Sequence, residues 1–312
     1  MKRILYLLTA TLLTASVASA QIEKGSIWYE DYTKFTCLSV SGNTIKCKSD
    51  DWGGIDPFSE EDAIFLTKTA NNTFSFKSNL TSYANIKTVE YRAIGDYKLL
   101  LFKDTKGNIL YCFQQTNDEM WEPEILRGYN RILDGTYVDE NGTKYTIAGD
   151  EFTMGGKKLN FSLDPLVYYI IDMSDGKKYW WQVTYTGIDL YNVTDGEYGS
   201  EQGGVWHRLK EVSPNGRWEF LSKEIVPKNF MWRYPSGLIR IMRNEIYARH
   251  GYVFNSADLK EYFSKQPWYK PLNNNNAVKL NAIETLNVEI LKANETAARE
   301  GTDDEEIEDG LQ

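Results

Sequence analysis

The feature that most constrains this chain is its punctuation. Between Gly25 and Val212, short runs rich in Val, Ile, Tyr, Phe and Thr follow one another, separated by turns containing Gly and Asn. Even spacing of such runs predicts antiparallel meanders, closed or nearly closed on themselves. A first series runs from Gly25 to Thr116: "KFTCLSV", "TIKCK", "DAIFLTK", "TFSFK", "IKTVEYRAI", "YKLLLFKD" and "NILYCFQQ". A second runs from Leu133 to Val212 and includes "TKYTIAG", "VYYIIDM", "KKYWWQVTY" and "VWHRLKEV". The stretch "NDEMWEPEILRGYN" between them is a connector. Each series holds an apolar strand, a Lys-and-Gly turn and an aromatic strand, in "YKLLLFKDTKGNILYCFQQ" and "VYYIIDMSDGKKYWWQVTY". A duplication and two unrelated hairpins both account for that likeness.

Between Pro214 and Pro235 the composition changes, and beyond it the period becomes helical. "SGLIRIMRNEIYAR" carries Leu238, Ile241, Met242 and Ile246 as a one-sided stripe. "SADLKEYFSKQ" opens on Ser256, a cap residue, and sets Leu259, Tyr262 and Phe263 at helical spacing before Pro267. "AVKLNAIETLNVEILKANE" repeats Leu280, Ile283, Leu286, Ile290 and Leu291 at intervals of three or four, an amphipathic helix.

"RNEIYARHGYVF", then "DLKEYFSKQPWYKP", then this amphipathic helix together resemble the YARHG domain, named for Tyr247-Ala248-Arg249-His250-Gly251. The resemblance covers Ser236 to Lys292 in several spaced blocks, and it implies an exported bacterial protein and no particular reaction. Upstream, "LDGTYVDENGTKYTI" looks like the opening of small lipocalin-like barrels. The expected architecture is α+β and multidomain: a signal peptide (1–20), a β-rich unit (21–117), a connector (118–130), a second β-rich meander or small barrel (131–213), a linker (214–235), the helical YARHG-like domain (236–298) and an acidic disordered tail (299–312). Each β-unit is a small barrel or a sandwich.

The N-terminus supports export. Lys2 and Arg3 precede an apolar stretch from Ile4 to Leu13 and small residues at Ala18 and Ala20, which predicts cleavage after Ala20. The stretch is short for a bilayer, Gln21 rather than Cys follows the cut, and no later segment is apolar enough to cross a membrane. Periplasm, cell surface and medium all fit. The chain is acidic, 35 Lys+Arg against 44 Asp+Glu, with six acids in "TDDEEIEDG" and no basic stripe, which argues against nucleic acid as a partner. Of three cysteines, Cys37 and Cys47 flank a hairpin turning at Gly42-Asn43. With Ser41 to Asn43 as a three-residue loop they face each other, and an oxidising compartment permits a disulfide. Cys112 is left as a buried small hydrophobe.

The motif has a structural reading at every letter. Glu245 and Arg249 are spaced as a favourable helix pair, His250 lies where a cation complements the helix dipole, and Gly251 sits where a left-handed cap is expected. Tyr252 and Phe254 then fall back against Trp268 and Tyr269. The competing reading is a binding site built on Asn244, Tyr247, Arg249 and His250. No catalytic constellation, metal set or cofactor motif emerges: the two histidines, His207 and His250, lack metal spacing, and the cysteines lack zinc spacing. Along "YWWQVTY", Tyr179, Trp181, Val183 and Tyr185 share one face and Trp180, Gln182 and Thr184 the other, more polar one, so Trp180 is the candidate for stacking on a ligand. The expected function is therefore non-catalytic binding of an envelope protein or glycan, with the ligand and the oligomeric state open. A carrier with a cavity lined by Tyr169, Ile171 and Trp181, and a hydrolase using two carboxylates, are the alternatives.

Overall fold

The computed structural model describes residues 22–30, 33–51, 62–116, 131–149, 151–159, 161–163, 170–173, 178–193, 202–226 and 234–301. The first series becomes β1 (Ile27–Glu30), β2 (Thr33–Ser41), β3 (Thr44–Asp51), β4 (Ile64–Ala70), β5 (Thr73–Lys77), β6 (Thr88–Ile94), β7 (Tyr97–Lys103) and β8 (Ile109–Thr116). These eight form a closed antiparallel barrel, because β1 pairs both with β2 (Trp28 opposite Phe35) and with β8 (Trp28 opposite Gln115). Alternation sends Phe35, Leu66, Phe74, Val89, Leu100, Phe102 and Phe113 inward. Phe102 lies 4.9 Å from Phe113 and 5.3 Å from Phe35, ring centre to centre. Eight strands enclose just enough space for side chains to fill, and the described inward side chains form one packed cluster.

The cysteine hairpin differs from its expected geometry. Its turn has two residues, with Ser41 opposite Thr44, and a bulge between Cys37 and Ser39 then shifts the register so that Cys37 stands opposite Cys47. Gly42 takes φ +56°, the left-handed conformation that a tight hairpin turn needs.

The second series forms β9 (Gly135–Val138), β10 (Lys144–Ala148), β11 (Glu151–Met154), β12 (Lys157–Leu159), β13 (Phe161–Leu163), β14 (Ile170–Met173), β15 (Lys178–Val183), β16 (Gly187–Val193) and β17 (Gln202–Glu211). They lie in one antiparallel sheet in the order β12-β11-β10-β9-β17-β16-β15-β14-β13. The sheet's two edge strands, β12 and β13, are thus neighbours in sequence, and one residue separates them. Covalent geometry holds Leu159 and Phe161 within about 7 Å, so the sheet curves enough to bring the end of β12 near the start of β13. The alternating directions also run β12 and β13 the same way. In this nine-stranded meander the first strand pairs with the last, Glu211 opposite Tyr137. The two hairpins that look alike in sequence occupy different places, β7–β8 at the end of the first meander and β14–β15 in the middle of the second. Their likeness is not a repeat in register.

The C-terminal part forms α1 (Ser236–Arg249), α2 (Ala257–Ser264) and α3 (Ala282–Gly301). The α1 stripe is buried as its spacing predicts, and Ile239 and Ala248 are buried with it. Ser256 sits at the α2 N-cap but makes no capping bond; its hydroxyl instead accepts from Arg240. The expected linker contains a short 3-10 turn, Glu219–Ser222, with Trp218, Phe220 and Leu221 buried. Buried Asn287 of α3 accepts from the Val226 N–H and donates to the carbonyls of Leu221 and Glu224. Helix α3 also runs to Gly301, into the stretch expected as tail.

The helices do not form a separate body. Their core is continuous with that of the second β-unit, joining Tyr137, Trp181 and Leu190 to Met242, Ile246 and Leu291. On another face, Leu286 and Ile290 of α3 pack on Leu99, Leu101, Ile109 and Cys112, outside the first barrel. That explains the unbroken apolar run in "YKLLLFK": Leu100 and Phe102 face the barrel interior while Leu99 and Leu101 face α3. Arg92 reaches Glu289 across the same joint at 3.2 Å.

Candidate functional site

The motif closes α1 and makes a three-way joint. The N–H of Gly251 donates to the Ala248 carbonyl and the N–H of Tyr252 to that of Tyr247, the paired bonds of a Schellman cap. The Tyr247 and Tyr252 rings meet at 5.6 Å, as that cap favours. Gly251 has φ +75°, and a Cβ there would lie 2.6 Å from the Lys270 carbonyl oxygen. Its own carbonyl accepts from the Leu272 N–H at 2.7 Å. Glycine is required twice over, by conformation and by close approach.

Glu245 and Arg249 pair as expected, and Glu245 does more. The same oxygen accepts from the Trp218 N–H at 2.7 Å, on the segment leading into the 3-10 turn. Gly216 makes room for it: a Cβ at that position would lie 2.9 Å from Glu245 Oε1. Arg249 also donates to Ser222 Oγ at 3.2 Å. Asn244 turns back on its own helix, Nδ2 donating to the Arg240 carbonyl at 2.7 Å.

His250 does not act through the dipole of α1 alone. Its Nε2 stands 2.9 Å from both oxygens of Glu284, on α3. Glu284 in turn closes a capping box with Asn281: the Asn281 N–H donates to Glu284 and the Glu284 N–H to the Asn281 side chain. Burial pushes the Glu284 carboxyl up, but the Asn281 N–H, the Ser222 hydroxyl and His250 outweigh it and hold it below the ordinary carboxylate value. The signature Asn281-x-x-Glu284 was available in the sequence as a helix start; its link to His250 was not.

Trp268 and Tyr269 pack on Phe263, and the Tyr269 hydroxyl donates to the Tyr252 carbonyl at 2.7 Å. Phe254 stacks on Phe263 at 4.8 Å and meets Tyr269 at 6.2 Å. Trp268 also lines a cleft of about 490 Å³ where α2 overhangs the end of the second β-unit. Tyr185 and Thr186 from the β15–β16 turn, Lys210 to Ser213 from the end of β17, and Asp258, Glu261, Tyr262, Lys265, Gln266 and Pro267 complete its walls. The Tyr262 hydroxyl donates to the Tyr185 carbonyl at 3.2 Å, fixing the helix to that turn. Beneath it Arg217, buried and lying over the Trp218 ring at 4.9 Å, donates to the carbonyls of Thr184 and Gly187. Burial pushes Glu211 above its ordinary value, and Glu245 adds to this; Ser213 and Arg217 act the other way. Burial and Glu245 likewise push Tyr262 upward. Two charges of the wall are compensated locally, Lys265 by Glu261 at 2.7 Å and Asp258 by Arg240.

The remaining candidates lie elsewhere. Tyr179, Trp181 and Val183 are buried on one face of β15 and Gln182 is exposed on the other. Trp180 pairs with Ile170 and Tyr191 across the sheet, and its side chain lies outside the described residues. Tyr169 and the side chain of Ile171 lie outside them too. Trp181, the third expected cavity residue, packs into the shared core. His207 is held between Glu140, 3.4 Å from Nδ1, and Tyr145. Asp139 of the "DENG" turn accepts from the N–H groups of Asn141 and Thr143 and from Tyr145, so its oxygens serve the turn. Cys37, Cys47 and Cys112 are all buried thiols.

The chain matches no curated protein and no solved structure. No helix among the described residues is long and apolar enough to cross a membrane. Residues 231–296 match the family model of the YARHG domain, from just ahead of α1 to within α3. The three-helix module that joins the two β-units is a YARHG domain, a domain of exported proteins.

Proposed function

We propose that this protein is a non-catalytic binding protein of the bacterial cell envelope or its surroundings, and that it binds in the cleft between α2 and the end of the second β-unit. The cleft carries the proposal. Its volume, about 490 Å³, falls in the range of small-ligand sites, and three aromatic side chains, Tyr185, Tyr262 and Trp268, line it beside Thr186, Ser213 and Gln266. Lys265 and Asp258 of the wall are paired with Glu261 and Arg240, Lys210 and Glu211 line it as well, and rings set beside polar groups suit an amphipathic ligand, such as a saccharide unit of an envelope polymer. Flat rings take its apolar face, and the polar groups take its hydroxyls. Export through the N-terminal segment, with cleavage after Ala20, would place the protein with such polymers.

The non-catalytic part of the reading is supported by how the motif's ionisable groups are used. Glu245 is engaged by Trp218 and Arg249, and His250 by Glu284. The test is calorimetry of the mature protein against neutral oligosaccharides from bacterial envelopes, after a glycan array and a pull-down. Thr186→Trp fills the cleft from an exposed turn and should weaken binding on the order of tenfold. Unchanged affinity in that variant would remove the cleft from the proposal, and silence from array and pull-down together would remove binding. Release of new reducing ends from the same oligosaccharides would replace binding by hydrolysis.

A further inference from the structure

We propose that Cys37 and Cys47 are a disulfide site, closed across β2 and β3 inside the first barrel. Three independent observations meet here. The register sets the two residues directly opposite each other, and it does so only because of the bulge after Cys37. Without that bulge the two-residue turn would pair Cys37 with Lys48.

The pair is also of the right kind. The Cys37 N–H donates to the Ser26 carbonyl and the Cys37 carbonyl accepts from the Gly25 N–H, on the side away from β3. Its backbone therefore makes no bond to Cys47, and the two form a non-hydrogen-bonded pair, the class in which Cα atoms approach to about 4.5 Å. That is at the short end of the span a disulfide bridges.

Finally, the fold leaves no competing partner. Both side chains point into the barrel, among Phe35, Ile45 and Ile64. Cys112 packs on the other side of the wall, under Leu286 and Ile290 of α3.

The two thiols are unequal. A hydrogen bond from Cys47 lowers the Cys37 thiol against the effect of burial, whereas burial pushes the Cys47 thiol well up. Both sulfurs are buried in the closed barrel, so exchange with an external oxidant belongs to folding, and either sulfur can open it; Cys37 is taken first. As a thiolate it displaces one thiol from a disulfide oxidant, forming a mixed disulfide. Cys47 loses its proton, attacks the Cys37 sulfur and displaces the second thiol. Two electrons pass from the cysteines to the oxidant, which is released as two thiols, and the chain loses two hydrogens.

The test uses the full chain, refolded with glutathione disulfide and then denatured and alkylated with and without reductant. One alkylated cysteine without reductant and three with it are expected, together with a linked peptide joining Cys37 to Cys47. Three alkylated cysteines without reductant, or a linked peptide containing Cys112, would overturn the proposal. The closed form should melt higher than the reduced form by on the order of 5 °C, and an equal or lower melting temperature would overturn a stabilising link. Material recovered after export tests the export reading separately: the site stands if glutathione closes it, whatever the state of the exported protein.

Discussion

His250 and Glu284 are 34 residues apart, and both carboxylate oxygens of Glu284 lie 2.9 Å from His250 Nε2. The contact locks the end of α1 to the start of α3. Because Glu284 also accepts from the Asn281 N–H and is nearly fully buried, it cannot turn to water if the imidazole is removed. His250→Ala should therefore destabilise by about 1–3 kcal/mol, the cost of a charged group deprived of a partner. Chemical denaturation of the two proteins measures it.

The same pair gives a pH dependence with a definite sign. Glu284 is held below its ordinary value of 4.5, so its contribution is present above that value in the folded protein and is lost as pH falls through the depressed one. Thermal stability should drop below pH 4.5, and Glu284→Gln should flatten that part of the profile. An unchanged profile in the variant would place the acid-sensitive group elsewhere.

Gly251→Val should be more damaging than His250→Ala. It adds the strain of a side chain at φ +75° to a contact of 2.6 Å with the Lys270 carbonyl oxygen, which is backbone and has little room to retreat. A loss of roughly 3 kcal/mol follows from strain and overpacking together. The comparison is a pair of melting curves, and the opposite ranking would contradict the assignment of Gly251 as the cap.

Glu245→Ala should be among the most destabilising single changes in the YARHG domain. It leaves the Trp218 N–H buried without an acceptor and Arg249 without its carboxylate. Removing one partner of such a buried pair costs about 3–5 kcal/mol. Urea denaturation should detect it, and near-wild-type stability would mean that water replaces the carboxylate.

Leu286→Ala should loosen the first barrel from the rest. Leu286 is fully buried against Leu99 and Leu101, and its truncation should cost about 2–5 kcal/mol at that joint. Calorimetry should then resolve the first barrel as a transition of its own, and a single sharpened transition would mean that Ile290 and the Arg92–Glu289 pair carry the joint.

What the sequence by itself determined is local. The strand runs, the one-sided stripe of α1, the Glu245–Arg249 spacing and the glycine cap all depend on neighbours within a turn or a hairpin, where the period of the backbone dictates who meets whom. Even the double burial of "YKLLLFK" leaves a trace, as apolar residues where alternation would put polar ones. Only the tertiary structure decided the rest. It paired β9 with β17 in the second sheet, laid α3 against the outside of the first barrel, gave His250 a partner on another helix and gave Glu245 one on the segment leading into the 3-10 turn. Those contacts join segments tens of residues apart, and periodicity carries no information about distance across the fold. The cysteine pair lies between the two cases: the turn was legible, but a single extra residue at the bulge set the register, and a one-residue slip changes which side chains stand opposite each other.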